Sequence, residues 1–149
     1  LLNQVDSENE LAFIIGHEIG HFVQKDHLRA MGRNLVIMTI GMALFGADNQ
    51  LNNFLSQSLQ LSQIGYSRRQ ESGADSVGLK ALNCHYGHVG GATDFFEKLQ
   101  EEHPHSRIEA FMSTHPAHQK RIREVEHLAT AKGWSISETQ PLPIFFNQD

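Results

Sequence analysis

The motif H-E-x-x-H at positions 17–21 constrains this chain more than any other feature of its sequence. Residues four positions apart on an α-helix lie one above the other on the same face, about 6 Å apart along the axis. The imidazoles of His17 and His21 can then reach the same metal ion, which the same spacing on a loop would not ensure. The motif therefore requires one uninterrupted helix through positions 17–21.

The residues around the motif predict such a helix. Ser7, with Glu10 three positions later, has the spacing of a capping box, which favours a helix beginning at Glu8. The apolar residues that follow have helical spacing and are Leu11, Ile14, Ile15, Phe22 and Leu28. Gly32 is typical of a helix end. We therefore predict one helix over Glu8–Met31.

Further helices are predicted along the chain, and no stretch shows strong strand alternation. They cover approximately residues 35–46, 50–63, 67–83, 91–102 and 116–132. The predicted helix at 91–102 begins at Gly91, and the one at 116–132 is followed by Gly133. Ser67 and Gln70 have the spacing of a second capping box, which begins the helix at 67–83. The sequence therefore predicts a mainly α fold with little or no β-sheet.

The length of 149 residues predicts one domain, which we place at 1–133, with an extended tail at 134–149. Twelve Lys and Arg residues against seventeen Asp and Glu argue against nucleic acid as a partner. The single cysteine, Cys84, excludes an intramolecular disulfide and a cysteine-rich zinc module. The chain begins at Leu1 without an initiator Met or a leader, so we expect a processed form or a fragment.

The most apolar stretch is Leu35–Phe45. It is well short of the roughly 20 residues that a helix needs to cross a bilayer. We therefore predict that this segment is a buried helix. The alternative is a segment that lies on a membrane surface or enters it partway.

Glu18 is the candidate general base. It lies beside the two histidines and points toward the side of the metal that they leave open. From there it can take a proton from a metal-bound water, whose pKa the metal lowers, and later pass it to a leaving amine.

A catalytic zinc ion needs a third protein ligand in addition to His17 and His21. His27 has the position of the third histidine in a longer zinc motif, but Gln24 stands where that motif has a glycine that turns the chain. Without the turn the helix continues, and His27 lies about 9 Å beyond His21 along its axis. The spacing argues against His27 as a ligand.

Glu71 is the better candidate for the third ligand. Asp75 follows it by four positions, so both carboxylates lie on one face of the predicted helix. Glu71 would bind the metal, and Asp75 would accept a hydrogen bond from the second ring nitrogen of His17 or His21. Such a partner holds a metal-binding histidine in one tautomer.

Three ordered motifs between about residues 7 and 128 resemble those of the gluzincin zinc peptidases. This family includes the CAAX prenyl protease, HtpX, the mitochondrial Oma peptidase, BepA and LoiP. The motifs are E-L-A leading into H-E-I-G-H, Y-S-R-R-Q-E-S-G-A-D at 66–75, and S-T-H-P at 113–116 followed by Arg121 and Ile122.

The resemblance implies a helical zinc-endopeptidase core with one Zn²⁺ per chain. His17, His21 and Glu71 would be the ligands, carried on an active-site helix and a second helix, and Glu18 the catalyst. His115 matches a downstream histidine of the family, which either stabilises the oxyanion or closes onto the zinc as an inhibitory fourth ligand. Tyr66 is either a donor to the oxyanion or a packing residue.

The remaining polar candidates are expected to have no role in the site. We assign none to six histidines, which are His85, His88, His103, His105, His118 and His127. Arg68, Arg69 and Arg121 are predicted to be solvated, although each could pair with a carboxylate near the metal.

The predicted function is a zinc metalloendopeptidase, and the resemblance implies that it hydrolyses peptide bonds in unfolded or damaged envelope proteins. The resemblance implies the periplasm or cell envelope. Membrane association could come from the apolar segment Leu35–Phe45 or from residues outside this chain. One alternative is a latched or inactive zinc domain that acts in assembly or as a chaperone. Another is a helical interaction domain that binds no metal.

Overall fold

The computed structural model describes residues 5–46, 52–56, 66–101, 114–115 and 119–143. The main helices are α1 (Glu8–Val23), α2 (Asp26–Phe45), α3 (Arg68–Tyr86), α4 (Asp94–Glu101) and α5 (Gln119–Lys132). Residues 52–56 are also helical, and the rest of the predicted helix at 50–63 lies outside the described residues. Within the described ranges there is no strand, only an isolated bridge between Ser7 and Pro141. The prediction of a mainly α fold is confirmed.

Helices α1 and α3 pack closely through residues with small or no side chains. A Cβ atom added to Gly16 would lie 2.9 Å from the Cα atom of Gly78. One added to Gly20 would lie 2.7 Å from the Cα atom of Ala74. Glycine inside a helix costs about 1 kcal/mol relative to alanine. Here the glycines allow the two backbones to approach, which brings the polar side chains of α1 and α3 together.

An apolar core lies beside this contact and supports α1 and α3. Its buried members are Val5, Phe13, Ile14, Leu79, Leu82, Val89, Ala92, Phe95, Phe96, Val125 and Ala129. They come from α1, α3, α4 and α5, from Val5 before α1, and from Val89 and Ala92 between α3 and α4. The pair of helices α1 and α3 therefore packs against α4 and α5 through this core.

The prediction of one helix over Glu8–Met31 is wrong, because α1 ends at Val23 and α2 begins at Asp26. The backbone N–H groups of Gln24 and Lys25 donate to carbonyls of the last turn of α1, each at 3.0 Å. Lys25 then adopts the left-handed conformation, with φ of 57°. This conformation is unfavourable for a residue with a side chain, which is why no sequence signal marked the break.

The prediction that Leu35–Phe45 is buried is also wrong. Within α2, Asp26 and Gly41 are the buried residues, while Leu35 and Leu44 are 66% and 69% exposed. By length and composition alone, Asp26–Phe45 would suffice to span a membrane. The apolar side chains surround the helix, so no one face can bury them all against a neighbour.

The tail is extended and packs against the N-terminal end of α1. The N–H of Glu8 donates to the carbonyl of Gln140 at 2.9 Å, and the N–H of Gln140 donates to Asn9 Oδ1 at 2.8 Å. The N–H of Val89 donates to the carbonyl of Ser135 at 2.8 Å. A domain boundary at residue 133 stays a prediction, and residues 144–149 lie outside the described part of the chain.

Candidate metal centre

Helix α1 provides two buried histidines whose Nε2 atoms face each other. Ser7 caps the helix, because its hydroxyl accepts a hydrogen bond from the N–H of Glu10 at 3.1 Å. The Glu10 half of the predicted capping box differs, because its carboxylate accepts from the N–H of Asp6 at 2.8 Å. His17 and His21 are 1% and 3% exposed. Their Nε2 atoms are 3.1 Å apart. The helix therefore directs both imidazoles to one point on the α3 side.

Helix α3 provides the carboxylates. The predicted capping box of Ser67 and Gln70 is present in full and defines where the helix starts. Glu71, in the first turn, has its Oε1 atom 3.3 Å from His21 Nε2 and its Oε2 atom 3.6 Å from His17 Nε2. The cap thus sets the register that places Glu71 opposite both histidines.

His115 joins the same group from a distant part of the chain. Its Nδ1 atom lies 3.1 Å from Glu71 Oε1 and 3.2 Å from His17 Nε2. The preceding residue, Thr114, accepts a hydrogen bond from the N–H of Tyr66 at 3.1 Å. One potential ligand atom from each of His17, His21, Glu71 and His115 lies within 4.8 Å of all the others.

Each α1 histidine has a carboxylate on its other ring nitrogen. His17 Nδ1 lies 2.9 Å from Asp75 Oδ1, and His21 Nδ1 lies 2.9 Å from Asp26 Oδ2. Because an ionised carboxylate only accepts, we assign a proton to both Nδ1 atoms. The Nε2 atoms are then available as metal ligands.

The donor set fits a divalent cation. Two Nε2 atoms and the two oxygens of the Glu71 carboxylate converge at 3.1 to 3.6 Å, and their lone pairs repel unless a proton or a cation lies among them. Ligand atoms about 2.0–2.1 Å from a tetrahedrally bound zinc ion are themselves about 3.3 Å apart. The spacing is therefore that of side chains arranged around one small ion.

The surroundings keep Glu71 and His17 in their metal-binding forms. Burial alone would raise the pKa of Glu71, but hydrogen bonding with His115 and His21 and the charge of Arg121 lower it to about 2. Glu71 is therefore a carboxylate at neutral pH. Burial lowers the pKa of His17 and outweighs the opposing effect of Asp75, so its imidazole is neutral.

Glu18 differs from the candidate ligands in its exposure. Its side chain is 49% exposed, and its Oε1 atom lies 3.4 Å from His115 Nε2. It therefore lies next to the ligand group but toward solvent.

The ring of Tyr66 stacks on the imidazole of His21, with centroids 3.9 Å apart and an interplanar angle of 18°. Burial, followed by the charges of Glu18, Asp26 and Glu71, raises the pKa of its hydroxyl, which stays protonated at neutral pH. The stacking shows the packing role, and a role as oxyanion donor stays a prediction.

The expectation that Arg121 is solvated is wrong. It is 5% exposed and pairs with Asp75 Oδ2 through Nε at 2.6 Å and with Asp75 Oδ1 through Nη2 at 2.7 Å. It also forms an ion pair with Glu71, and its guanidinium lies 4.4 Å above the centre of the Phe96 ring. Arg68 and Arg69 are exposed, as expected. In the sequence, the one signal that separates Arg121 from Arg68 and Arg69 is its position six residues after His115.

Asp26 is the residue that the sequence analysis missed, because a helix continuing to Met31 would have carried it away from His21. His27 instead is exposed and stacks on Phe22, with ring centroids 5.8 Å apart. His85, His88 and His127 lie outside the ligand group. Three further histidines, His103, His105 and His118, are outside the described residues.

A family model described as Peptidase family M48 matches residues 1–129. The mitochondrial metalloendopeptidase OMA1 of Bos taurus is 28% identical over 142 residues, covering 86% of this chain and 27% of that protein. The metalloprotease LoiP of Escherichia coli K12 is 31% identical over 135 residues, covering 85% of this chain and 52% of that protein. The beta-barrel assembly-enhancing protease of Escherichia coli O157:H7 is 28% identical over 142 residues, covering 87% of this chain and 29% of that protein.

No solved structure matches the chain. The chain spans between about a quarter and about a half of the length of the curated relatives above. The activities in their names therefore belong to longer proteins that contain a region similar to this one.

Proposed function

Since the chain belongs to peptidase family M48 and is a metalloprotease by that membership, we propose that it is a zinc-dependent endopeptidase acting on unfolded or damaged envelope proteins. One observation carries the proposal. His17, His21 and Glu71 converge as candidate ligands, while Glu18 lies beside them toward solvent. This combination of a buried ligand set and an exposed carboxylate supports hydrolysis better than structural metal binding.

Zinc is the metal that the donor chemistry favours. Two imidazoles and one carboxylate form a ligand set of catalytic zinc sites, with one coordination position left for water. Ions that prefer oxygen ligands, such as Mg²⁺ and Ca²⁺, suit this set less well. We propose one zinc ion per chain.

Bound zinc would polarise the scissile carbonyl and acidify a water molecule. Glu18 accepts the proton from the attacking water and returns it to the leaving amine. Asp75 and Asp26 hold the imidazoles by their Nδ1 atoms, and Arg121 holds Asp75. Tyr66 or His115 donates to the oxyanion of the tetrahedral intermediate.

The burial of the ligands supports an unfolded substrate. His17, His21 and Glu71 are each less than 5% exposed, so a bond in a folded surface could not reach them. An extended segment of backbone can enter where a folded domain cannot. The names of the relatives, which include a protease that enhances β-barrel assembly, support an envelope setting.

The zinc-loaded chain should therefore cleave an unstructured protein such as casein and leave a stably folded protein of similar size intact. Fragment formation on gels over the same period measures both rates. If the folded protein is one that disulfides stabilise, reducing those disulfides should unfold it and make it a substrate. Equal cleavage of its folded and unfolded forms would contradict the proposed substrate class.

His115 favours a second candidate function, a latched zinc domain. Its Nδ1 atom lies within the ligand group, in contact with Glu71 and His17, and its Nε2 atom faces Glu18. A fourth protein ligand leaves no position for water. In this candidate function the observed arrangement is the closed state, and His115 must move away before hydrolysis.

Replacing His115 with alanine distinguishes the two roles. If His115 is the latch, His115→Ala opens a water position, and we expect turnover on casein to rise several-fold at matched zinc content. If it stabilises the oxyanion, turnover falls by about 100- to 1000-fold. His127→Ala, an exposed histidine on α5, is the control and should have no effect. Unchanged turnover in His115→Ala would contradict both roles.

We further propose that α2 attaches the protein to the surface of a membrane. Its exposed apolar residues are Leu28, Met31, Leu35, Val36, Met38, Ile40, Met42 and Leu44. No charged residue occurs from Asn34 to Phe45, whereas Arg29 and Arg33 precede this stretch. Because the net charge is -5, attachment would come from apolar insertion rather than from attraction to anionic lipid.

The double variant Val36→Asn, Met42→Asn should lose binding to vesicles of neutral phosphatidylcholine in a flotation assay. Each buried side chain of this size contributes about 1.5–3 kcal/mol, so partitioning should fall by roughly 100-fold or more. Ile136→Asn, which changes an exposed apolar residue of the tail, is the matched control. Equal flotation of wild type and the double variant would contradict attachment through α2.

A further inference from the structure

Asp26 is a completely buried carboxylate whose two oxygens both have partners. It is 0% exposed, and its Oδ2 atom lies 2.9 Å from His21 Nδ1. Its Oδ1 atom accepts a hydrogen bond from Arg29 Nη1 at 3.1 Å. The side chain of Gln70, next to Glu71 on α3, also hydrogen-bonds to it. Asp26 therefore connects α1, α2 and α3 at the edge of the metal centre.

Packing of α2 does not explain why this carboxylate is buried. The other buried residue of α2 is Gly41, fifteen positions away, and the residues between them are exposed or half-buried. A buried carboxylate is costly unless charged or polar groups compensate for the lost water. Lys25, directly before it, has a left-handed backbone with φ of 57°. Both costs occur where the chain turns back toward His21.

The geometry points to Asp26 as a positioning residue of the metal centre: it holds the Nδ1 atom of His21 and thereby directs Nε2 to the metal. It does for His21 what Asp75 does for His17, from a different helix. This inference rests on the proposed zinc centre and assigns a role to a residue outside its ligand set. A carboxylate that fixes the tautomer of a ligand also increases the basicity of that ligand.

The two carboxylates differ in what else they hold. Asp75 is also bound by Arg121, which is buried, whereas the cation beside Asp26 is Arg29, whose side chain is 62% exposed. Replacing Arg29 should therefore leave the bond between Asp26 and His21 in place. The Arg29 variant can therefore show whether Asp26 acts by holding His21 or only by anchoring α2.

Zinc affinity, measured by competition with a chelating dye, tests the role. Asp26→Asn should weaken zinc binding by about 10- to 100-fold, as should Asp75→Asn, because an amide holds the imidazole less firmly than a carboxylate. Arg29→Gln and the surface control Glu124→Gln should bind as wild type does. The visible spectrum of the cobalt-substituted protein should change in Asp26→Asn, since the geometry around the metal changes.

Thermal unfolding of the metal-free proteins identifies a merely structural role. If Asp26→Asn lowers the unfolding temperature but keeps the wild-type zinc affinity and cobalt spectrum, Asp26 only anchors α2 and the inference is wrong. An equal loss of affinity in Arg29→Gln would also overturn it. If Asp26→Asn does not fold, Asp26→Glu keeps the charge but shifts the oxygens, and an unchanged affinity in that variant would contradict the inference. Wild-type protein that binds no zinc would contradict the proposed function itself.

Discussion

Replacing Glu18 with glutamine is expected to remove nearly all peptide hydrolysis while zinc remains bound. Proton transfer by a positioned side chain contributes roughly 100- to 10,000-fold, and an amide cannot accept the proton of the attacking water. Glu18 is exposed and lies outside the group of candidate ligands, so its loss should affect neither the fold nor the metal. When both are measured on the same sample, turnover on casein should therefore fall while zinc content stays at the wild-type level.

The matched control is Glu124→Gln, which makes the same chemical change on the exposed face of α5. It should retain wild-type turnover and zinc content. Hydrolysis by Glu18→Gln at close to the wild-type rate would remove Glu18 from its proposed role. Loss of zinc together with activity would instead indicate that Glu18 contributes to the metal site.

Replacing a ligand should have a comparably large effect, but on binding. Structural zinc sites with four protein ligands have apparent binding free energies of about 10–16 kcal/mol, which is roughly 3 kcal/mol for each ligand. His17→Ala, His21→Ala and Glu71→Gln should therefore each weaken binding by at least about 100-fold. Equilibrium dialysis against buffered zinc measures the affinity and the number of ions per chain.

His27→Ala is the control for this series, because His27 is exposed and stacks on Phe22 outside the ligand group. It should bind one zinc ion with wild-type affinity. If His27→Ala lost zinc while Glu71→Gln retained it, the assignment of the third ligand would be wrong.

The sequence was most informative where function depends on spacing within one helix. Two capping boxes predicted the starts of α1 and α3, and the helical spacing then placed His17 with His21 and Glu71 with Asp75. The structure brings these two pairs together, with Asp75 on His17. These relations are local, so helix geometry alone predicts them.

Relations that depend on packing between distant segments could not be predicted in the same way. The left-handed backbone at Lys25 has no glycine to announce it, and without that break Asp26 could not be placed beside His21. Arg121 is separated by many residues from the carboxylates that it pairs with. The composition of α2 fits a buried helix and an exposed one equally well, and only its position in the fold distinguishes them.

The most direct test of the zinc centre is removal and return of the metal on wild-type protein. Zinc is stripped with a chelator and added back in steps, with casein hydrolysis and bound zinc measured at each step. We expect hydrolysis to disappear with the metal and to return in proportion to bound zinc, reaching its maximum at one ion per chain. Hydrolysis that persists in zinc-free protein would contradict a zinc-dependent peptidase.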